Sequence, residues 1–391
     1  MSDKKISYTS TPILISFTEQ SLSRETYGGG VANIFVQGLH MRRPDANNDT
    51  VLVFMHPTAT LDTLPLPREL ARRGVAVLAC ASRYPHNDSA LIMEKVLLDL
   101  GHYVRYAREK LGYKKIILAG WSGGASLSAF YQSQAESPTL TATPSGEPID
   151  LSGLIPADGI MQVAAHSARS TIMTESLDAS IRNELDPTDR DPAFDLYDQQ
   201  NGPRPPYSTD FVAAYRAAQV TRNERITAWA RETLDRLERT GGPVQERCFV
   251  THGTMADPRW LDPAVDPNDR HPGQCYLGLP ASVNNGPIGL ARFATLRSWL
   301  SQWSTETSQA NTALQGPNVT IPALVISNSA DDCCPPSHAQ TIYDSLGGKK
   351  ELHTIAGANH YLIGQRDQLE TAIGLILDWL KRNDLLDGLP E

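Results

Sequence analysis

A serine lies at the centre of the pentapeptide Gly120-Trp121-Ser122-Gly123-Gly124. The apolar run before it, residues 115–119, predicts a buried strand, and residues 125–131 predict a helix. Strand, G-x-S-x-G and helix together form the setting in which a serine hydroxyl becomes a nucleophile. Glycines permit a turn too sharp for side chains, and the N-terminus of the following helix favours developing negative charge. The segment therefore predicts nucleophilic chemistry at Ser122, against the alternative of a small-residue turn.

A serine hydroxyl is a weak nucleophile at neutral pH and needs a neighbouring base, usually a histidine. Of the ten histidines, His360 lies between a predicted strand at 351–355 and a predicted helix at 366–381. A loop that follows a parallel strand lies at the same edge of the sheet as the turn carrying Ser122. We therefore predict His360 as the general base, against the alternative of a surface histidine in a glycine-containing loop.

Two adjacent aspartates follow a further predicted strand at 321–327. A carboxylate at that edge could orient the imidazole and stabilise its cationic form. Asp331 is preferred because it is nearer the end of the strand. Asp332 remains the alternative, and whichever carboxylate is not used is expected to be solvated or in contact with inserted chain.

The chain order Ser122, Asp331, His360, with the segments G-W-S-G-G and G-A-N-H-Y, resembles the α/β-hydrolase fold family. The resemblance covers about residues 1–165 and 317–391. It implies a Ser-His-Asp triad without a cofactor or metal. In that family a proline commonly follows the acid by four residues. Both aspartates meet this condition, so the motif does not separate them.

An oxyanion hole requires donors aimed at the developing charge. The amide of Gly123, the residue after the nucleophile, is the first expected donor. The resemblance implies a second donor in the loop after Met55, where the family often has His-Gly and then the donating residue. Here the loop reads His56-Pro57-Thr58, and proline has no N–H. Thr58 is therefore the predicted second donor, and His56 is expected to be structural rather than catalytic.

Further polar and aromatic residues near predicted strand ends are candidate contacts to the substrate or to the inserted chain. They are His56, Trp121, Arg83, His166, Asp332 and Tyr361. Arginines at these positions, including Arg169, could bind a substrate carboxylate or anchor inserted chain through acidic side chains. Anchoring is the favoured interpretation, since arginine forks usually satisfy structural carboxylates. The pair Cys333-Cys334 is interpreted as small buried packing and not as a redox switch.

These residues require a scaffold that brings distant segments to one edge. Short apolar runs alternate with helical patterns up to residue 165 and again from residue 321, which predicts an α/β fold with a mostly parallel sheet flanked by helices. The predicted strands are 12–17, 31–36, 51–55, 75–80, 115–119, 158–165, 321–327 and 351–355. The predicted helices are 89–111, capped by Asp88 or Ser89, and 125–131, 210–237, 290–303, 337–346 and 366–381.

The alternation is interrupted between residues 166 and 316, where helical patterns dominate. A connection of this length without structure would be unusual in a compact domain. We therefore predict an α/β-hydrolase core formed by 1–165 and 317–391, with 166–316 as a large, mainly helical inserted cap. The cap resembles the large cap subdomains of some bacterial members of the family.

Composition and short motifs argue against several classes of protein. The chain has 391 residues, is 40% hydrophobic and carries a net charge of −9, which argues against nucleic-acid binding. The five cysteines do not suggest a disulfide framework, and no segment has the length of a membrane span or a signal peptide. Gly28-Gly29-Gly30 lacks the nucleotide-binding pattern, and no zinc-ligand motif is present. A cytoplasmic protein without a membrane partner is expected; self-association is left open.

The residues therefore predict a serine hydrolase that acts on a small carboxylic ester, with lactones and thioesters also open. Because a fold does not determine a reaction, acyl transfer, C–C bond hydrolysis and peroxide-dependent chemistry on the same triad remain alternatives. A non-enzymatic ligand-binding receptor is the third hypothesis. An intact triad argues against it.

Overall fold

The computed structural model describes residues 7–20, 25–26, 30–46 and 49–389. Gly28 and Gly29 and the extreme N-terminus, about which predictions were made above, lie outside these ranges. The twelve strands of the described residues are β1 Thr9–Thr18, β2 Asn33–Arg42, β3 Thr50–Met55, β4 Ala76–Cys80, β5 Lys115–Ser122, β6 Gly159–Ala165, β7 Ile181–Asn183, β8 Asp186–Arg190, β9 Cys248–Val250, β10 Phe293–Thr295, β11 Ala323–Asn328 and β12 Lys350–Ile355.

Eight of these strands form one sheet in the order β1-β2-β4-β3-β5-β6-β11-β12. The pairs β1–β2 and β2–β4 are antiparallel, and every other neighbouring pair is parallel. The predicted α/β class with a mostly parallel sheet is confirmed. Because β5, β11 and β12 run in the same direction, the loops after them leave the sheet at one edge.

Eleven α-helices lie in the described residues. They are α1 Pro65–Arg72, α2 Met93–Glu109, α3 Gly124–Glu136, α4 Arg169–Ser176, α5 Thr209–Thr240, α6 Pro258–Leu261, α7 Pro280–Asn285, α8 Leu296–Ser298, α9 Thr312–Gln315, α10 Pro336–Ser345 and α11 Arg366–Arg382. A π-helical turn, Trp299–Trp303, follows α8, and a 3₁₀ turn, Gly316–Asn318, follows α9. None of the helices in the described ranges is long and apolar enough to span a bilayer.

Helices cover both faces of the sheet. Alternate residues of β3 face two separate buried clusters: Val51, Val53 and Met55 pack with α2 and α3, and Leu52 and Phe54 pack with α1 and α11. A central parallel strand covered in this way buries both of its faces, which explains its uninterrupted apolar sequence. The rigid sheet between the two clusters is the platform for the loops at its carboxyl edge.

The start of α2 differs from the prediction. The helix begins at Met93 after Ile92, whose side chain cannot cap it, and neither Asp88 nor Ser89 is its cap. The amide of Met93 instead donates to Oγ of Ser301 at 2.7 Å. Asp88 is engaged elsewhere, because its carboxylate accepts from Arg169 at 2.9 Å. A side chain distant in sequence therefore takes the place of a local helix cap. A local sequence pattern cannot predict such a partner.

The segment between β6 and β11, residues 166–316, contains α4 to α9 and is called the insertion below. It also contains two small antiparallel ladders, β7–β8 and β9–β10, which the helical patterns did not predict. The predicted helix over 290–303 is partly wrong, since Phe293–Thr295 is a strand paired with Cys248–Val250. The division into a core and a cap with these boundaries stays a prediction.

Gly124, the first residue of α3, is required by close packing. A Cβ at this position would lie 2.1 Å from the carbonyl oxygen of Met55, which is backbone and cannot rotate away. We expect Gly124→Ala to lower the free energy of unfolding by about 1–3 kcal/mol through overpacking, measured by urea denaturation. Gly374→Ala is the matched control, because nothing lies within 4 Å of a Cβ built there. That helical substitution should raise stability by about 0.5–1 kcal/mol. Equal unfolding free energies for both variants would contradict the packing argument.

Candidate active site

Ser122 is the last residue of β5, and the chain turns sharply there. Its φ is 53°, in the left-handed region that a residue other than glycine rarely adopts. The ladder between β5 and β6 shifts its register between Trp121 and Ser122. A Cβ on Gly120 would lie 2.5 Å from Cα of Ala125, so that close approach of backbone requires glycine. The geometry is that of a strained turn that presents a serine at the edge of the sheet.

His360 and Asp331 meet in the loops after β12 and β11. Nδ1 of His360 lies 2.7 Å from Oδ2 of Asp331, and both side chains are buried. Oδ1 of Asp331 accepts from the amides of Cys333 at 2.7 Å and Cys334 at 2.8 Å. An ionised carboxylate only accepts, so Nδ1 carries the proton and Nε2 of the neutral ring is free to act as a base.

The loop that carries His360 is held by the neighbouring strand ends. Nε1 of Trp121 donates to the carbonyl oxygen of His360 at 3.2 Å, and the two rings lie 4.5 Å apart. Nδ2 of Asn328 donates to the carbonyl oxygen of Asn359 at 2.7 Å. The ring of Tyr361 packs 5.4 Å from that of Trp121. These contacts fix the imidazole beside the serine turn.

Asp332, the alternative acid, differs from Asp331 in its surroundings. Within the described residues, its carboxylate makes no hydrogen bond to the imidazole; its carbonyl oxygen accepts from Nε1 of Trp260 at 2.8 Å. Burial raises the pKa of Asp332, and the adjacent charge of Asp331 raises it further. The geometry therefore brings His360 together with Asp331 and not with Asp332.

The insertion contacts the loop that carries the acid. Besides Trp260, Nδ2 of Asn268 donates to the carbonyl oxygen of Asp331 at 2.8 Å. The amide of Asp269 donates to the carbonyl oxygen of Ser329 at 2.6 Å. These contacts could not be predicted from the sequence, because Trp260 and Asn268 are 72 and 63 residues from their partners and no motif joins them.

Two thiols border the serine and the histidine. The Sγ atoms of Cys333 and Cys334 and a ring nitrogen of His360 lie within 4.8 Å of one another, so they are the described residues that could hold a soft metal ion. Burial raises the pKa of the Cys334 thiol, contact with Cys333 raises it further, and the side chain of Ser122 acts against this shift. A raised thiol pKa disfavours the thiolate that a metal requires. Cys333 and Cys334 are both buried, which agrees with the packing role predicted for the pair.

Ser122 and His360 both lie beside the thiol of Cys334. Within the described ranges, no hydrogen bond joins Oγ of Ser122 to the imidazole. In enzymes without substrate, catalytic hydrogen bonds are often long and tighten only when the substrate is bound. The three candidate side chains thus lie at one edge of the sheet, in the turn or loops that follow β5, β11 and β12.

The loop after β3 gives the predicted oxyanion donor another partner. The amides of Thr58 and Ala59 donate to Nδ1 of His56 at 3.1 and 2.9 Å. Thr58 is therefore engaged within its own loop and is not free for an oxyanion. Burial lowers the pKa of His56 well below its usual value, so the ring is neutral and carries its proton on Nε2. A Cβ on Gly123 would lie 2.8 Å from that Nε2, which places an N–H donor beside Gly123.

Of the remaining predicted contacts, Arg83 lies away from the candidate site and His166 lies near it. Arg83 does not reach the site, because its guanidinium is covered by Asp99, Glu19 and Glu25 in a buried ion-pair cluster. The prediction of a substrate or cap contact for Arg83 is therefore replaced by a structural role in the core. His166 is buried near the site, and its Nδ1 has no hydrogen-bond partner among the described residues.

An open cleft of about 990 Å³ lies beside the loop after β3. It is lined by Thr60 of that loop, by the end of β4, by Ser82 and His86 of the loop after β4, and by Thr295 and Arg297 of the insertion. None of Ser122, Asp331 and His360 lines it. The cleft therefore does not contain the three candidate catalytic side chains.

Comparison with known proteins assigns the architecture. No protein-family model matches the chain, and no curated protein matches its sequence. Among solved structures, the α/β hydrolase GrgF from Penicillium sp. sh18 is similar with a TM-score of 0.50 and 12% identity, over 95% of this chain and 99% of that one. The chain has the α/β-hydrolase fold. Est1E from Butyrivibrio proteoclasticus is also similar, with a TM-score of 0.46 and 12% identity over 89% of this chain and 96% of that one.

In this α/β-hydrolase fold the pKa of the His360 imidazole is raised. Burial opposes the charged form, but the charge and hydrogen bond of Asp331 outweigh it and raise the pKa of His360 to about 9. A general base must be unprotonated, so its active fraction falls as the pH drops below that value. We expect kcat/KM for a neutral ester to fall by about tenfold per pH unit below pH 9. Rates measured from pH 6 to 10 check this. A flat profile over that range would mean that another group accepts the proton.

Proposed function

We propose that this protein is a serine hydrolase that cleaves a carboxylic ester through a Ser-His-Asp triad and an acyl-enzyme. The observation that carries the proposal is the buried imidazole of His360. It is bonded to Asp331 on one side and lies beside the strained turn of Ser122 on the other. A nucleophile, a base and an orienting carboxylate at one sheet edge are the parts that acyl transfer to serine needs.

In the proposed reaction, Oγ of Ser122 attacks the acyl carbon while Nε2 of His360 takes its proton. The imidazolium then gives that proton to the leaving alcohol as the C–O bond breaks, and the acyl group stays on the serine. Water attacks the acyl-enzyme with the same ring as base. Asp331 keeps the tautomer and stabilises the cation in both steps.

We propose that the oxyanion is held by the amide of Gly123 and by Nε2–H of His56. The support is the position of that ring, whose Nε2 lies 2.8 Å from where a Cβ on Gly123 would be. A neutral imidazole can donate there because its Nδ1 already accepts two amides. This assignment gives His56 a role in place of the amide of Thr58.

The proposal extends to related acyl substrates and to a cytoplasmic location. Lactones and thioesters suit this chemistry equally, and acyl transfer or C–C bond hydrolysis would use the same triad. The described cysteines are all free, which supports the proposed reducing, cytoplasmic location. The proposal needs neither cofactor nor metal, and a small-molecule substrate suffices.

The test is a panel of purified esters, lactones and thioesters, with product analysis in water and with an added alcohol as competing acceptor. Release of free acid from esters supports the hydrolase. A transferred acyl product in the presence of the alcohol would favour acyl transfer. Absence of any turnover, with no labelling by a fluorophosphonate probe, would favour the ligand-binding receptor.

A further inference from the structure

Arg169 is the first residue of α4, just after β6, and its guanidinium is buried and held on three sides. Nη2 donates to Oδ2 of Asp88 at 2.9 Å, and Nε donates to Oε1 of Gln302 at 3.3 Å. Its Cζ lies 4.5 Å from the centroid of the Trp303 ring. These contacts satisfy the expected anchoring role and fix the plane of the guanidinium, so that the direction of the last nitrogen is set.

That last nitrogen, Nη1, faces the nucleophile turn. A Cβ on Gly123 would lie 3.3 Å from Nη1 and 2.8 Å from Nε2 of His56. In the part of the chain that the structure describes, Nη1 donates to no acceptor. The space beside Gly123 is thus bordered by two groups with free N–H bonds, one of which belongs to a permanent cation.

The charges around this space are not balanced. Asp88, the one carboxylate paired with Arg169 among the described residues, has a side chain that is 34% exposed, so water weakens that ion pair. Asp331 is already bonded to His360 and two amides. Burial lowers the pKa of the Arg169 guanidinium, as expected for a cation that lacks full compensation. His56 adds a further donor and no charge.

We infer that Arg169 binds a carboxylate on the acid part of the substrate, close to the scissile carbonyl; this rests on the proposed ester hydrolysis. The leaving alcohol receives its proton from His360 and therefore lies on that side. The acyl group stays bonded to Ser122, beside Gly123, where Nη1 is within reach of a substituent. The substrate class is a half-ester of a short dicarboxylic acid. A charge-assisted bond from a fixed arginine fork would hold such an acid.

The test compares monoethyl succinate with ethyl butyrate, which have the same number of acyl carbons and differ by the carboxylate. We expect the parent to prefer monoethyl succinate. Arg169→Met should lower kcat/KM for monoethyl succinate by about 10–100-fold more than for ethyl butyrate, mainly through KM. Arg169→Lys should restore part of the preference by keeping the charge. An equal loss on both esters, or a parent without the preference, would overturn the inference.

Two control variants distinguish binding of the substrate by Arg169 from anchoring of the insertion by the same residue. Asp88→Asn removes the ion pair on the opposite edge of the guanidinium and should keep the preference for the acidic ester. If it abolishes the preference as Arg169→Met does, the arginine acts by anchoring the insertion and the inference fails. Arg231→Gln removes an exposed arginine of the insertion, paired with Glu306, and should change neither ester.

Binding of succinate tests the anion site at Arg169 independently of ester hydrolysis. Calorimetry with the Ser122→Ala variant should detect succinate, and adding Arg169→Met should abolish that binding. This pair of results supports the anion site even if no ester is turned over. Turnover of ethyl butyrate by the parent, without succinate binding, would leave the hydrolase standing and overturn the anion site.

Discussion

Replacing Ser122 with alanine is expected to lower kcat/KM for p-nitrophenyl butyrate by at least about a thousandfold, because no acyl-enzyme can form. The residual rate would come from binding and oxyanion contacts alone. Labelling by a fluorophosphonate should disappear in the same variant. Initial rates and mass spectrometry of the labelled peptide measure both effects, and the parent should carry the label on Ser122.

Ser126→Ala is the matched control for this prediction. Ser126 lies in the first turn of α3, and its Oγ donates to the carbonyl oxygen of Gly123 at 3.4 Å. Its loss should change turnover by less than about tenfold and leave the labelling intact. Turnover by Ser122→Ala within about tenfold of the parent would contradict its assignment as nucleophile.

Asp331→Asn is expected to lower kcat by about four orders of magnitude. An amide cannot stabilise the imidazolium, and it can donate to Nδ1 and so favour the wrong tautomer of His360. The pKa of His360 should fall as well, since the charge of Asp331 is what raises it. The acidic limb of the pH profile, along which activity rises as His360 loses its proton, should therefore move to lower pH, measured with the same neutral ester.

Asp332→Asn tests the same exchange one residue further along the chain. Its carboxylate is not bonded to the imidazole, so turnover should change by less than about tenfold, through loss of a nearby charge alone. A larger loss in Asp332→Asn than in Asp331→Asn would reverse the two roles. This comparison decides what the proline spacing in the sequence could not.

Local sequence was sufficient for the elements that position the site. The apolar runs before Ser122 and Asp331 predicted β5 and β11 to within a few residues, because strands covered on both faces must be apolar throughout. The strand before His360, β12, was predicted as closely, although it is a more polar strand at the edge of the sheet. Since parallel strands end at one edge, the meeting of the three loops followed from topology. The choice between the two aspartates did not, because it depends on where backbone amides point.

The sequence could not predict the contacts that side chains from distant parts of the chain make at the candidate site. Thr58 was the expected oxyanion donor because Pro57 has no N–H. The orientation of the His56 ring depends instead on the amides that donate to its Nδ1, which no sequence pattern shows. Arg169 was expected to be an anchor, and its contact with Asp88 agrees. The direction of its remaining nitrogen is set by Gln302 and Trp303, over 130 residues away.

The insertion also departed from its predicted structure for a physical reason. Residues 290–303 have helical spacing, yet Phe293–Thr295 pairs with β9. A ladder partner far along the chain can override local helix propensity over three residues. In contrast, α5 was predicted well, since its 32 residues carry a sustained amphipathic pattern and end at a left-handed Gly241.

The hydrogen bonds from Trp260 and Asn268 end on carbonyl oxygens of the same loop that aims Asp331. Loosening of the insertion there would free the loop and disturb the contact between Asp331 and His360. Mild heating should therefore inactivate the enzyme before the sheet melts, and cooling should restore turnover without refolding of the whole chain. The stability of the insertion at this loop and the catalytic activity would then fall together as the temperature rises.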